Sequence, residues 1–222
     1  MLQLIKVTSQ ASPHWDSLVS IYLDSFPIDE RRPLESIAHL LATEPRYAMY
    51  AIIYNHEELP ECKHRDETNQ KELSPYKGDE RRERRERSER SGGGQEASSS
   101  ASIPALGLLT TWSFDEFVYV EHFAISSSLR SQGYGTEALS TFIQSQQKPL
   151  ILEAEPPTDE TTRRRIRFYE RHGLTLFDFP YMQPAYTAES QPVTLCLMGT
   201  LDPAVTPLAQ VSRVLHSEVY EV

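Results

Sequence analysis

Two closely spaced glycines, Gly133 and Gly135, lie where a predicted strand ending near Ile125 gives way to a predicted helix over about residues 133–147. Glycines at such a junction leave backbone N–H groups uncovered, and the start of a helix adds partial positive charge. Together these features favour the binding of a phosphate group. The segment is not a P-loop, because no Gly-Lys-Ser/Thr sequence closes it. The loop therefore predicts a site for a phosphate-bearing ligand.

An acidic residue, Glu121, lies in the strand-like run that precedes this loop. Strand alternation predicts that His122 points to the opposite face, and that Glu121 shares its own face with Phe117, Tyr119, Phe123 and Ile125. A carboxyl group in such apolar surroundings either has a raised pKa that suits a general base or is held in an ion pair.

Glu153 and Glu155 share one face of the next predicted strand, where they can act through water or bind a positively charged substrate.

The glycines also fit a second pattern. Gly133-x-Gly135-x-x-Ala138 is a relaxed dinucleotide-binding fingerprint, and Glu153 follows Gly133 by 20 residues. Against this interpretation, seven residues (126–132) separate the strand from the first glycine, although dinucleotide-binding turns are tight. The 67 residues that follow Glu155 are too few for the second half of a doubly wound sheet. A dinucleotide-binding oxidoreductase is therefore the lesser alternative.

The segment resembles the GNAT superfamily of acyl-CoA-dependent N-acyltransferases. In that family a strand of the form Glu-His-x-Ala-Val/Ile precedes an Arg/Gln-x-x-Gly-x-Gly/Ala loop that opens a helix. Here the strand motif stands at residues 121–125 and the loop motif at Arg130-x-x-Gly133-x-Gly135. A second family block, Phe-Tyr-x-x-x-Gly-Phe/Leu, stands at residues 168–174. The resemblance covers nearly the whole chain outside residues 55–104, and it implies an α/β fold with a mixed, mostly antiparallel central sheet flanked by helices.

The resemblance also implies acetyl-CoA as co-substrate, with no metal. The pantetheine arm is expected to pair with the strand backbone at Phe123, Ala124 and Ile125. The pyrophosphate is expected on the loop formed by Arg130, Ser131, Gln132, Gly133, Tyr134, Gly135 and Thr136. Ligation by the backbone explains the glycines, because a side chain would hold the phosphates away.

Two residues occupy catalytic positions by the same resemblance. Tyr169 is expected to protonate the leaving thiolate, since a phenol of pKa ~10 can donate to a thiolate whose thiol has a pKa of ~8.5. Packing of Tyr169 beside Ile166 on one helix face is the alternative. Glu121 is expected to act as the general base. Substrate-binding roles are expected for Glu153 and for Tyr181 and Tyr186, which lie in a segment that lines the acceptor cleft in the family.

The activity implied is transfer of acetyl from acetyl-CoA to a primary amine by direct attack. Both a protein lysine and a small polyamine-like molecule fit as acceptor. A CoA-binding sensor module without turnover is the alternative from another functional class.

These residues need an alternating set of elements to position them. The sequence predicts strands at 2–7, 47–54, 105–114, 117–125, 150–154, 174–179 and 193–198, and helices that follow Ser12 and Pro33 and that span about 133–147 and 159–172. A short helix is also expected after Pro203. All belong to a single domain over residues 1–222. The stretch 55–104 has 12 acidic and 10 basic residues, a single aromatic and many Ser and Gly, so we expect a disordered insertion there.

Composition limits the partners. The formal net charge of −10 argues against nucleic acid and against anionic membranes as partners. Two cysteines, Cys62 and Cys196, exclude a disulfide framework and favour a reducing cytoplasm. No apolar run approaches the ~20 residues of a membrane-spanning helix, and no basic leader precedes the first strand. We therefore expect a soluble, cytoplasmic protein.

Overall fold

The computed structural model describes residues 2–54 and 104–221. The predicted insertion lies outside the described residues, apart from Pro104. Eight strands and five helices are formed in the described ranges. In chain order these are β1 (Leu2–Val7), α1 (Trp15–Ser25), α2 (Leu34–Thr43), β2 (Tyr47–Tyr54), β3 (Gly107–Ser113), β4 (Val118–Ile125), α3 (Tyr134–Ser145), β5 (Leu150–Ala154), α4 (Glu160–Glu170), β6 (Thr175–Leu176), β7 (Tyr181–Gln183), β8 (Val193–Gly199) and α5 (Leu208–Val214).

The strands form a mixed sheet in the order β1-β2-β3-β4-β5-β8-β6, and β7 pairs with the other half of β8. Within the described ranges, β4 and β5 are the one parallel pair, and the crossover between them contains α3. All other pairs are antiparallel, which confirms the predicted mostly antiparallel sheet. A doubly wound sheet needs several parallel neighbours, so the dinucleotide-binding alternative is wrong.

Helices cover both faces of the sheet. One layer contains α1, α2 and α5, which bury Leu18, Ile37 and Val211 against the sheet. The other contains α3 and α4, which bury Leu139, Phe142, Ile166 and Tyr169.

The α4 helix starts where predicted because Asp159 caps it: Asp159 Oδ1 accepts from the Thr162 backbone N–H at 2.9 Å, and Thr162 Oγ1 accepts from the Asp159 N–H at 3.0 Å.

Three of the predicted elements differ from the structure. The strand expected over residues 174–179 is reduced to Thr175–Leu176. The Phe179 N–H turns back to the Phe177 carbonyl, and Pro180 has no N–H to offer the sheet. Residues 181–183, expected in a connecting segment, form β7 instead. The first helix begins at Trp15 with no side-chain cap, so Ser12 does not cap it.

Candidate functional site

A cleft opens where β4 and β5 part. Their parallel pairing runs from Val118 with Leu150 to Val120 with Leu152, and no described pair continues it. Beyond Val120, β4 stays bonded to β3 on its other edge, so its edge toward β5 has free backbone groups. A cavity of about 840 Å³ lies here. An extended ligand arm can pair with that strand edge as a further strand would.

A β-bulge in β4 fixes which side chains face the cleft. Thr110 of β3 lies opposite His122, whereas Thr111 lies opposite Val120, so Glu121 is the extra residue. Glu121 and His122 therefore point to the same side, the layer of α1 and α2, and Phe123 stacks on Phe168 in the other layer. The expectation that Glu121, Phe123 and Ile125 share a face, with His122 opposite, is wrong because regular alternation stops at the bulge.

Glu121 is held in a fully buried ion pair. Arg32 directs both Nε and Nη2 to Glu121 Oε1, at 3.0 and 2.9 Å. The Trp112 indole N–H donates to Oε2 at 3.1 Å, and the Tyr186 hydroxyl donates to Oε1 at 2.9 Å. Burial alone raises the pKa of a carboxyl group, but the charge and hydrogen bonds of these partners outweigh it and hold the pKa of Glu121 below its ordinary value. Glu121 is therefore an anion whose two oxygens both accept hydrogen bonds.

Arg32 is a site residue that no pattern in the sequence indicates. Its guanidinium lies 4.8 Å from the centre of the Tyr186 ring and 5.6 Å from that of Trp112, and Nη2 also donates to the Val219 carbonyl at 2.8 Å. It is 9% exposed. Only the folded chain brings it to Glu121, which is 89 residues away.

His122 connects the strand to the segment before α2. Its Nδ1 lies 3.1 Å from Thr110 Oγ1, and its Nε2 lies 3.0 Å from the Glu30 carbonyl oxygen. Burial lowers the pKa of His122 despite the nearby Glu121 carboxylate. The ring is therefore neutral, and it holds the segment around Glu30 against the cavity.

Glu153 is the second carboxyl group of the cleft, on the neighbouring strand β5. The Tyr181 hydroxyl donates to Oε1, and the Tyr220 hydroxyl donates to Oε2 at 2.9 Å. Burial raises the pKa of Glu153 to about 7, although the tyrosine hydrogen bonds oppose the rise. Among the residues that the structure describes, no positively charged side chain pairs with this carboxylate. Glu153 can therefore both lose and accept a proton near neutral pH.

Tyr169 reaches the same cavity from the other helical layer. Its ring is 8% exposed and packs edge-on to Phe168. Burial raises the pKa of Tyr169, so its hydroxyl stays protonated at neutral pH. That hydroxyl bonds to none of the described residues. It is therefore available to a ligand.

The glycine loop has the geometry of an anion site. Gly133 precedes α3 with φ +90°, a conformation that favours glycine, and no described side chain caps this helix. A Cβ at Gly135 would enter the cavity wall 3.5 Å from Ile125 Cγ1. The free N–H groups of the first turn can thus be approached closely by a pyrophosphate, and the residues present fit the CoA moiety.

Two arginines flank this loop. Arg130 Nε donates to the Ile125 carbonyl at 3.1 Å, and its Nη2 donates to Ser25 Oγ at 3.1 Å. Arg164 Nη2 donates to Ser131 Oγ at 3.0 Å. Both guanidinium groups line the cavity, so its loop end is basic.

The structure brings most of the predicted site residues together. Those that line the cavity are Glu121, Phe123, Ala124, Ile125, Arg130, Ser131, Gly133, Gly135, Thr136, Glu153, Tyr169 and Tyr186. Three others do not line it. Gln132 is exposed and bonds to the Ser128 carbonyl, Tyr134 packs toward Tyr54, and Tyr181 lies behind Glu153.

The described residues contain no group of three or more His, Cys, Asp and Glu side chains placed to hold a metal ion. None of the described helices is long and apolar enough to cross a membrane. The cytoplasmic location and the lack of a nucleic-acid partner stay predictions.

The cleft, the glycine loop and the parting of β4 from β5 are together typical of acyl-CoA-dependent transferases. The sequence model of the acetyltransferase (GNAT) family matches residues 15–174. A solved structure from Bacteroides thetaiotaomicron, by name an acetyltransferase of the GNAT family, has 28% identity and a TM-score of 0.71, over 100% of this chain and 99% of that one. The chain belongs to the GNAT acetyltransferase family, which confirms the predicted family, fold and enzyme class.

Two further relatives are more distant. YjbC of Bacillus subtilis (strain 168), an acetyltransferase by name, is 37% identical over 60 residues, which cover 26% of this chain and 31% of that protein. Arabidopsis thaliana NAA60, solved in complex with acetyl-CoA, has 11% identity and a TM-score of 0.50, over 90% of this chain and 96% of that one. The latter likeness shows the fold alone.

Proposed function

We propose that this protein transfers the acetyl group of acetyl-CoA to a primary amine by direct attack, with Glu153 as general base and Tyr169 as general acid. One observation carries the proposal: a carboxyl group of pKa about 7 and a neutral phenol line one cavity beside the free edge of β4. Acetyl-CoA supplies the acetyl group as a thioester. The chain supplies binding, orientation and the two proton transfers.

The free edge of β4 and the glycine loop hold the two ends of the CoA moiety. The pantetheine arm pairs with the free backbone groups of the segment Phe123, Ala124 and Ile125, in which the Ile125 carbonyl already accepts from Arg130. The N–H groups after Gly133 bind the pyrophosphate, and Arg130 adds charge there. These contacts orient the thioester toward the point where β4 and β5 part.

Glu153 suits the role of base better than Glu121 does. An aliphatic amine arrives as ammonium, with a pKa of ~10.4, and must lose a proton before it attacks. A carboxylate with a pKa close to working pH is ionised and still accepts that proton more readily than an ordinary glutamate does. The Glu121 oxygens already accept from Arg32 and two other donors. Glu121 as base stays a prediction, and the pH profiles described in the Discussion separate the two carboxylates.

Tyr169 is placed to protonate the leaving thiolate. Its hydroxyl is protonated at neutral pH and donates to the thiolate as the C–S bond breaks, although burial makes the phenol the weaker acid of the pair. Because Tyr169 stands in the layer opposite Glu153, the base and the acid act on different sides of the reacting carbonyl group.

The acceptor end of the cavity favours a cationic amine. Glu30, Glu153 and Glu155 line it together with Tyr186 and Gln183, whereas Arg130 and Arg164 lie at the loop end. Burial and the nearby Glu155 raise the pKa of Glu30, although Arg165, which pairs with Glu155, opposes the rise. An approaching ammonium relieves that repulsion, whether it belongs to a polyamine or to a protein lysine.

The test combines calorimetry with a thiol-release assay. The full chain is titrated with acetyl-CoA, CoA and NADH, and CoA release is then followed with spermidine and with a lysine-containing peptide. We expect binding of acetyl-CoA and CoA, no binding of NADH, and thiol release that requires an amine. Binding without release for either amine overturns the proposed acceptor class and favours a sensor module. Absence of acetyl-CoA binding overturns the proposed function altogether.

A further inference from the structure

The C-terminal segment reaches the cleft, although it lies beyond the residues 15–174 that the family model matches. Its helix α5 continues into a π-helical turn, Leu215–Val219. The Tyr220 N–H closes that turn by donating to the Leu215 carbonyl, five residues back, at 3.2 Å. Such turns insert an extra residue into a helix and often occur at functional sites. Here the wide turn keeps Leu215, Val219 and Tyr220 all buried against the sheet, at 0%, 1% and 7% exposure.

Two groups at the end of this segment contact the polar residues of the cleft. The Val219 carbonyl accepts from Arg32 Nη2, the same nitrogen that binds Glu121. The Tyr220 hydroxyl donates to Glu153 Oε2 at 2.9 Å and lies 3.0 Å from the Tyr119 hydroxyl, which can donate to it. The segment therefore touches the partners of both carboxylates.

Tyr186 lies between the two carboxylates: its ring centroid is 5.0 Å from that of Tyr220, and its single hydroxyl proton goes to Glu121. Its hydroxyl oxygen is 2.9 Å from Glu121 Oε1 and 3.5 Å from the Tyr220 hydroxyl. Buried networks of this kind fix side chains in one arrangement when each member is satisfied. Every oxygen of both carboxylates has a donor here.

We infer that Tyr220 is a positioning residue for Glu153: its hydroxyl fixes Oε2 so that the carboxylate faces the cavity, and its ring packs on Tyr186, which binds Glu121. This inference rests on the proposed role of Glu153 as base. The C-terminal segment is then part of the catalytic apparatus and not only a cover for the sheet.

The physical consequence is a change in the proton affinity of Glu153. The groups that face its carboxyl are the hydroxyls of Tyr181, Tyr220 and Tyr119 and the Glu121 carboxylate. A hydroxyl that donates to a carboxylate stabilises the ionised form. Removal of the Tyr220 hydroxyl therefore makes Glu153 titrate at higher pH, by about one unit for the loss of one charge-assisted hydrogen bond.

The first experiment compares Tyr220→Phe with wild type. We expect the acidic limb of the kcat/KM profile to move about one pH unit higher, with the dissociation constant for acetyl-CoA unchanged. Tyr50→Phe, on the strand β2 and packed on Phe142, is the matched control and should leave the profile in place. An unmoved acidic limb in a folded Tyr220→Phe protein overturns the inference.

A second experiment needs neither turnover nor a folded Tyr220→Phe variant. The carboxyl carbon of Glu153 and the ring carbon that bears the Tyr220 hydroxyl are labelled with ¹³C and titrated by NMR. We expect both resonances to shift with one midpoint in wild type, and the Tyr220 resonance to stay still in Glu153→Gln. Independent midpoints overturn the positioning role. If amines release no thiol while the midpoints coincide, only the proposed function fails.

Discussion

Glu153 and Tyr169 approach one cavity from opposite faces of the sheet. Glu153 points to the layer that holds Tyr181 and Tyr220, whereas Tyr169 is carried by α4 in the other layer. The two groups have complementary proton states at neutral pH, since one carboxyl group titrates near pH 7 and the phenol stays protonated. Because the strands part between them, a substrate can contact both without the two groups exchanging a proton directly.

Tyr169→Phe should lower kcat by about 10²-fold, the usual loss for a positioned general acid. The dissociation constant for acetyl-CoA should stay within twofold, because the hydroxyl acts in the transition state and the ring still packs on Phe168. Steady-state kinetics and calorimetry measure the two effects. An equal loss of acetyl-CoA affinity and thermal stability, with no separate effect on kcat, would support the packing role instead.

Glu153→Gln should remove the acidic limb of the kcat/KM profile, which we expect near pH 7 in wild type. The loss at pH 7.5 should be about 10²-fold or more, with partial recovery at high pH, where the amine loses its proton to solvent. The profile is measured by thiol release between pH 5.5 and 9.5.

Glu121→Gln provides the comparison for this experiment. It should keep the acidic limb, because the pKa of Glu121 is held below its ordinary value by Arg32. The opposite result, a limb lost in Glu121→Gln and kept in Glu153→Gln, would assign the base to Glu121 as the sequence alone predicts.

Arg32→Met should destabilise the fold by about 3–5 kcal/mol, because it leaves the buried Glu121 carboxylate without its cation. The double variant Arg32→Met/Glu121→Gln should recover part of that loss, since no uncompensated charge then remains. Urea unfolding of the two single variants and the double variant gives the coupling free energy. Additive effects of the two changes would show that the pair is not energetically coupled.

Sequence patterns predicted the elements that local chemistry defines. The helices predicted over about 133–147 and 159–172 correspond to α3 and α4, whose ends lie within two residues of those bounds. The glycine loop was predictable because its backbone geometry depends on residue types at fixed spacing. Most of the residues expected to bind acetyl-CoA consequently line the cavity.

The sequence could not show what depends on long-range contacts. The bulge at Glu121 breaks the alternation from which its face was predicted, and nothing in residues 117–125 marks it. Arg32 and Tyr220 reach their carboxylates across 89 and 67 residues of chain. Whether a buried glutamate is paired or has a raised pKa depends on such partners, so the roles of Glu121 and Glu153 could be separated only in the structure.

Gly135→Val should weaken acetyl-CoA binding by at least about tenfold, or ~1.4 kcal/mol, while the protein stays folded. A Cβ at this position makes ordinary contacts with Ile125 and Phe168, so Gly135→Ala is the mild control, and the added methyl groups of valine project into the cavity wall. Calorimetry measures the affinity. Gly133→Ala is expected to affect stability instead of ligand contact. Because residue 133 has φ +90°, the alanine should lower the free energy of unfolding by ~1–2 kcal/mol. Unchanged affinity in Gly135→Val would remove the loop from the site.

The free energy of unfolding should depend on pH through Glu153 even without any acceptor. The pKa of Glu153 is about 7 in the folded protein and has its ordinary value of 4.5 in the unfolded chain. Between these values the folded state binds a proton that the unfolded state has lost. Its contribution to stability is therefore complete below pH 4.5 and is lost as the pH rises through 7.

Wild type should thus lose up to about 3 kcal/mol relative to Glu153→Gln across that window, at 1.36 kcal/mol per pH unit. Reversible urea unfolding of both proteins at half-unit steps from pH 4.5 to 8 measures the difference. Glu189→Gln, at an exposed position, is the control and should run parallel to wild type. Parallel curves for wild type and Glu153→Gln would show that the carboxyl group titrates alike in both states, and the carboxyl group would then lack the raised pKa that the proposed base requires.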